Sequence, residues 1–195
     1  MSLIMSMAAF ALAASITPGP VNIMALSSGA QYGFRASQRH VLGATLGFVL
    51  LLVLMWLGLH ELLKLWPALT RVVQLAGVGF LLFMAWKLAT DDGRLGTADA
   101  RQAPTFFYGA LMQWLNPKAW LACVAGMGAF VADGETRLVW QFAAVYLVVC
   151  YLSVACWAYA GTFLRKYLSN AGGLRLFNRV MALLLAVSAG YLLLP

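Results

Sequence analysis

Charge is what this chain has least of. Only 10% of its 195 residues are charged, against 63% hydrophobic, and just six are acidic. A soluble domain carries about 25% charged and roughly 45–50% apolar residues, so this composition has no polar shell to present to water. That argues against a soluble enzyme, a nucleic-acid-binding domain and a disordered regulator alike. A net charge of +7 does not restore the nucleic-acid reading, because the thirteen basic residues are scattered singly. Cys123, Cys150 and Cys156 form no C-x-x-C pair, which indicates neither a disulfide framework nor a zinc site; they read as small buried hydrophobes. Phosphate loops, nucleophile–base pairs and metal-ligand clusters are missing too. Neither catalysis, nor a metal, nor a cofactor is expected.

What the chain does have is a succession of long uncharged runs. A bare charge in hydrocarbon is costly, so charges mark the ends of spans. No charged residue precedes Arg35, which leaves a first run of about Leu3–Leu26. Val41–Leu59 follows, closed by His60 and Glu61. Val72–Trp86 reaches about Ala89 if Lys87 snorkels. Lys118 is the sole charge between Arg101 and Asp133, Leu138–Leu164 has none, and Leu174–Leu194 closes the chain. Each run is near the roughly 17–25 residues a spanning helix needs. The expectation is an all-α membrane protein of six transmembrane helices, a single domain over 1–195. Ala11–Ser15 resembles a signal-peptide cleavage site, but no basic residue precedes it and the apolar run continues past Pro20, so it reads as a retained span.

Basic loop residues set orientation. Arg35, Arg39, Lys87, Arg94, Arg101, Arg165, Lys166, Arg175 and Arg179 fall on one side; Lys64, Arg71 and Arg137 fall on the other. Both termini are therefore expected outside the cytoplasm. His40 and His60 lie at span ends and read as interfacial.

The polar stretch at about 90–104 divides the chain into repeats at about 1–89 and 105–195. Each opens with a helix broken by proline: Thr17-Pro18-Gly19-Pro20 with Asn22, and Asn116-Pro117-Lys118. Pro18 and Pro117 stand 99 positions apart, about half the chain. With three helices per half, the halves enter the membrane from opposite faces, which is the inverted-repeat arrangement of many secondary transporters. Each proline lacks an N–H and displaces the carbonyl four residues earlier. Pro18, Pro20 and Pro117 thus release the carbonyls of Ala14, Ile16 and Gln113. Backbone freed at this depth is tolerated only where protein or a wet cavity satisfies it.

Lys118 sits about 21 Å along a helix from Pro104 and from Ala132 at 1.5 Å per residue, deeper than the roughly 15 Å half-thickness of the hydrocarbon. It either ties freed carbonyls together as a structural strut or faces a polar cavity that Gln113 also lines. These parts suit a zwitterion. Half-helix N-termini and Lys118 receive a carboxylate; freed carbonyls and the amides of Asn22 and Asn116 receive an ammonium. With no deep acidic partner for a cationic side chain, a small neutral amino acid is the expected cargo. A passive channel or uniporter for small polar solutes is the alternative. Gly43-x-x-x-Gly47 permits close helix approach, within the chain or in a homodimer. Trp114, Trp120 and Trp157 lie deep enough either to pack or to line a path.

At Thr17–Pro20 with Asn22, Gly33-Phe34-Arg35, Gly43/Gly47 and Gln113–Ala119, the sequence resembles the LysE/RhtB superfamily of amino-acid exporters over nearly its whole length. Asn22–Ser28, Ala85–Thr90 and Cys156–Gly161 resemble the cysteine/O-acetylserine exporter subgroup. The resemblance implies export of small amino acids or derivatives across the bacterial inner membrane, driven by proton antiport. Some members carry an acidic residue in the fifth helix and Leu138–Leu164 does not. Coupled protons would then have to pass through Lys118, Tyr159 or Glu61.

Overall fold

The structure is a computed structural model that describes residues 2–59, 65, 67–91, 103–131, 135–168 and 171–191. Among the described residues it is helical, with no strand. In chain order the helices are α1 (Leu3–Ile16), α2 (Pro20–Tyr32), α3 (Phe34–Leu54), α4 (Pro67–Ala89), α5 (Phe106–Trp114), α6 (Pro117–Phe130), α7 (Thr136–Leu164) and α8 (Ala171–Tyr191). A π-helical turn, Met55–Leu59, continues α3. Three of the described helices are long and apolar enough to cross a membrane; α1 and α2, bent by 63° at their junction, make a fourth if taken as one span.

Local chemistry accounts for the breaks. Thr17 leaves α1 in an extended conformation, and Pro20 restarts the helix at its first position, where a missing N–H costs nothing. Pro117 restarts α6 in the same way, with the Asn116 side chain accepting from the Lys118 N–H at 3.1 Å. Thr105 caps α5 by accepting from the Tyr108 N–H at 3.2 Å. Gly33, at φ 83°, turns the chain from α2 into α3 in a conformation that only glycine adopts cheaply.

Small residues decide which helices touch. A Cβ on Gly29 or Gly161 would fall 2.0 Å or 1.9 Å from the carbonyl oxygen of Ala158 or Leu26, so α2 and α7 meet backbone to backbone. Gly43 and Gly47 give α3 the same approach to Phe106 and Ala110 of α5; the G-x-x-x-G pair is thus used inside the chain. Lipid offers helices little hydrophobic reason to associate, so close packing of this kind is what holds them. The core between them is built on Phe142, Tyr146, Leu51, Leu52 and Met7, with Phe48 stacked on Tyr146 at 4.1 Å. Leu42, Leu46 and Leu50 point outward from α3, as Leu176, Leu183 and Val187 do from α8. In water such a surface would aggregate; in a bilayer it is the lipid face.

Three sequence expectations are corrected. The second span starts at Phe34 rather than Val41, because Arg35 and Arg39 ride on the exposed side of α3 while Ser37 turns inward. His40 is consequently not interfacial: it is fully buried, its Nε2 3.4 Å from the Val21 carbonyl and its Nδ1 without a partner. Cys123 and Cys150 are buried as expected, whereas Cys156 is exposed on the outer side of α7. His60 and Glu61, along with most of the 90–104 stretch, lie outside the described residues.

Candidate functional site

α7 is the post around which the two breaks assemble. Gly29 of α2 touches it at Ala158, and Gly126 of α6 touches it at Phe142. Those positions are about 24 Å apart along a helix rising 1.5 Å per residue. From their starts near the middle of α7, then, α2 and α6 run in opposite directions. Their first turns share one cavity of about 30 Å³, bordered by Asn22, Gln113, Asn116, Lys118, Tyr146 and Cys150. Two helix N-termini and one lysine give it positive character.

The Lys118 ammonium bridges the breaks. It donates to the Thr17 carbonyl at 2.7 Å, to the Thr17 hydroxyl at 2.7 Å and to the Pro18 carbonyl at 3.5 Å. Gly19 lets it in: a Cβ there would come within 3.3 Å of the lysine Cδ and 3.4 Å of Nζ. Lys118 is half-buried, at the wall of the cavity.

The sequence-derived residues are thereby brought together. Gly19, Asn22, Gln113, Asn116 and Lys118 line the cavity, and Thr17 and Pro18 hold the lysine from behind. Pro20 and Pro117 occupy the first positions of α2 and α6. The amide of Asn22 is turned to the backbone, its Nδ2 donating to the carbonyls of Ser15 at 2.9 Å and Thr17 at 2.8 Å. The three released carbonyls also have partners within the protein. Ala14 accepts from the Thr17 hydroxyl at 3.3 Å, Ile16 from the Trp157 indole at 3.0 Å, and Gln113 from the Asn116 N–H at 3.2 Å. Trp120 donates to the Trp114 carbonyl at 2.7 Å and Trp114 to that of Gly47 at 3.2 Å. Trp120 and Trp157 therefore serve carbonyls at the breaks, while Trp114 ties α5 to α3. Tyr159 stands away from the cavity, 63% exposed and edge-on to Phe34. Glu61 is outside the described residues. Among the described residues no three His, Cys, Asp or Glu side chains gather in a way that could hold a metal ion.

Sequence reasoning missed Ser15, Tyr146 and Cys150, which face the cavity from α1 and α7. It also missed a second polar cluster. Asn178 of α8, fully buried, donates to Asp91 at 3.0 Å and accepts from Ser27 at 3.4 Å, and Gln31 donates to the other Asp91 oxygen at 3.4 Å. A lone asparagine in an apolar run was the signal available for it.

The chain has recognisable relatives among known proteins. The family model described as "LysE type translocator" matches residues 12–195. The cysteine/O-acetylserine efflux protein of Escherichia coli (strain K12) is 31% identical over 182 residues, covering 92% of each chain. That of Salmonella typhimurium (strain LT2) is 31% identical over 183 residues, again covering 92% of each. No solved structure matches the chain. With its family matched from the first helix to the last residue, the chain belongs to the LysE-type translocators, and it is a membrane transporter rather than an enzyme.

Proposed function

We propose that the protein is a secondary exporter of small neutral amino acids or their derivatives, of the cysteine/O-acetylserine kind, across the bacterial inner membrane. The observation that carries this reading is the Lys118 ammonium, held at 2.7 Å on Thr17 where two interrupted helices begin. A substrate carboxylate replaces Thr17 as the lysine's partner and lies against the first turns of α2 and α6, whose helix dipoles favour an anion. The remaining carbonyl capacity and the Asn116 and Gln113 amides serve the substrate's polar end. At about 30 Å³ the cavity admits about one water, so it must widen before an amino acid can occupy it. That requirement favours alternating access over a standing pore.

Six spans in two inverted halves, α1–α4 and α5–α8, are the architecture this mechanism uses, with both termini outside the cytoplasm. The opposed directions of α2 and α6 from one cavity support it. Proton antiport is the proposed drive.

The test is efflux of a labelled amino-acid panel from loaded vesicles, with and without an imposed proton gradient. Saturable efflux of cysteine or O-acetylserine, accelerated by the gradient and lost in Lys118→Ala and Asn22→Ala, is expected. Unsaturable flux would favour the channel, and equal export of lysine would overturn the neutral-substrate assignment.

A further inference from the structure

One buried titratable side chain has no part in the Lys118 site. His40 is fully buried, about 9 Å along α3 from Phe34 at 1.5 Å per residue. Its ring touches the linings of two cavities. Nε2 is 3.4 Å from the carbonyl of Val21, which borders the Lys118 cavity. The same ring is tilted against Tyr108 at 6.4 Å, and Tyr108 borders a larger cavity, of about 230 Å³, at the other end of α2. A Cβ on Gly109 would strike the His40 carbonyl, so α5 presses directly on α3 at this point.

The bonding fixes the tautomer. A carbonyl only accepts, so Nε2 carries the hydrogen and Nδ1 keeps a bare lone pair. That lone pair has no partner. Buried polar atoms are nearly always satisfied, and an orphan requires a physical reason. An ionisable group within a span is functional by default, and histidine is the side chain whose charge changes near neutral pH.

Fixed charge is scarce around the ring. α2 and α5 carry none, and the titratable neighbour from α5 is Tyr108. α7 brings Tyr151 to Gln38, donating at 2.7 Å. Lys87 and Asp91 of α4 border the larger cavity, Lys118 of α6 lies beyond Val21, and Arg39 faces outward from α3. A proton arriving at Nδ1 therefore creates a charge with no carboxylate bonded to it. A sealed interior disfavours such a charge and a water-filled opening tolerates it. Proton occupancy is thus tied to which cavity is open.

We infer that His40 carries the exchanged proton, taking it up at Nδ1 when the protein opens to one side and releasing it when it opens to the other. One N–H bond forms at Nδ1 with a proton from water and the same bond breaks on release; the Nε2–H stays on the Val21 carbonyl. The imidazolium and the substrate ammonium are like charges on either side of Val21, so each disfavours the other, as exchange requires. The inference rests on the antiport reading and names the group that serves it.

The experiment uses full-length protein in vesicles and labelled O-acetyl-L-serine. It compares gradient-driven efflux with counterflow, which exchanges substrate for substrate and moves no net proton. His40→Gln keeps a donor for Val21 and takes up no proton. It should retain wild-type counterflow and lose all acceleration by a proton gradient. Its efflux should also lose the wild type's dependence on pH between about 5 and 7, within the range where histidine titrates. Should it fail to fold, His40→Asn, with the same amide chemistry, is read in the same way. A variant still accelerated by the gradient overturns the inference. So does loss of counterflow together with gradient drive, the mark of a ring that only holds helices. A wild-type protein indifferent to the gradient would instead overturn the antiport reading, and this assignment with it.

Discussion

The Lys118 ammonium and the Thr17 carbonyl, 101 positions apart in sequence, meet at 2.7 Å. One bond thus fastens the start of the second broken segment to the end of α1. A charge-assisted hydrogen bond contributes about 1.5–3 kcal/mol, so the contact is strong enough to hold the halves together and still exchangeable for a ligand carboxylate. Thr17→Val removes the hydroxyl partner and keeps the carbonyl. Its efflux should fall several-fold, whereas Lys118→Met should fall to background; initial rates in vesicles separate the two.

The glycine contacts predict where volume is forbidden. Gly29→Ala and Gly161→Ala each drive a methyl into a carbonyl across the α2–α7 seam. Each should lower stability by about 1–3 kcal/mol, the usual cost of overpacking. Gly79→Ala, where nothing lies within 4 Å, should leave the melting temperature unchanged or raise it. Thermal unfolding in detergent reads all three.

Trp120 predicts a polar role for an apolar-looking side chain. Trp120→Phe keeps the ring and deletes the N–H that serves the Trp114 carbonyl at 2.7 Å. An unsatisfied buried acceptor costs about 1–3 kcal/mol, so the variant should unfold at lower temperature than Trp140→Phe, whose ring is 55% exposed.

Orientation is testable directly. Nine of the thirteen basic residues fall on one side in the expected topology, and lysine and arginine bias that side to the cytoplasm. An alkaline phosphatase fused to the C-terminus should be active and a fluorescent protein in its place dark. The opposite result would overturn the proposed orientation.

Much of this molecule was legible before any coordinates. Proline leaves the helix whatever surrounds it, so Pro18, Pro20 and Pro117 marked both interruptions, and the deep Lys118 marked the cavity between them. Less legible was anything that depends on which way a side chain turns. The Nδ2 of Asn22, for example, donates to the carbonyls of Ser15 and Thr17, bonds that no spacing along the chain foretells. His40 looked interfacial because Arg35 and Arg39 seemed to end the span, yet those arginines face outward and the helix passes beneath them. Asp91 looked like linker, and only the fold brings it to Asn178, 87 positions on.

The seam at Gly29 and Gly161 has a mechanical consequence. Two helices whose main chains touch cannot slide or roll past each other without a collision, so α2 and α7 behave as one stiff beam. Any enlargement of the Lys118 cavity then has to come from the pieces on the far side of the breaks, α1 and α6, swinging on Thr17–Gly19 and Leu115–Asn116 as paired joints.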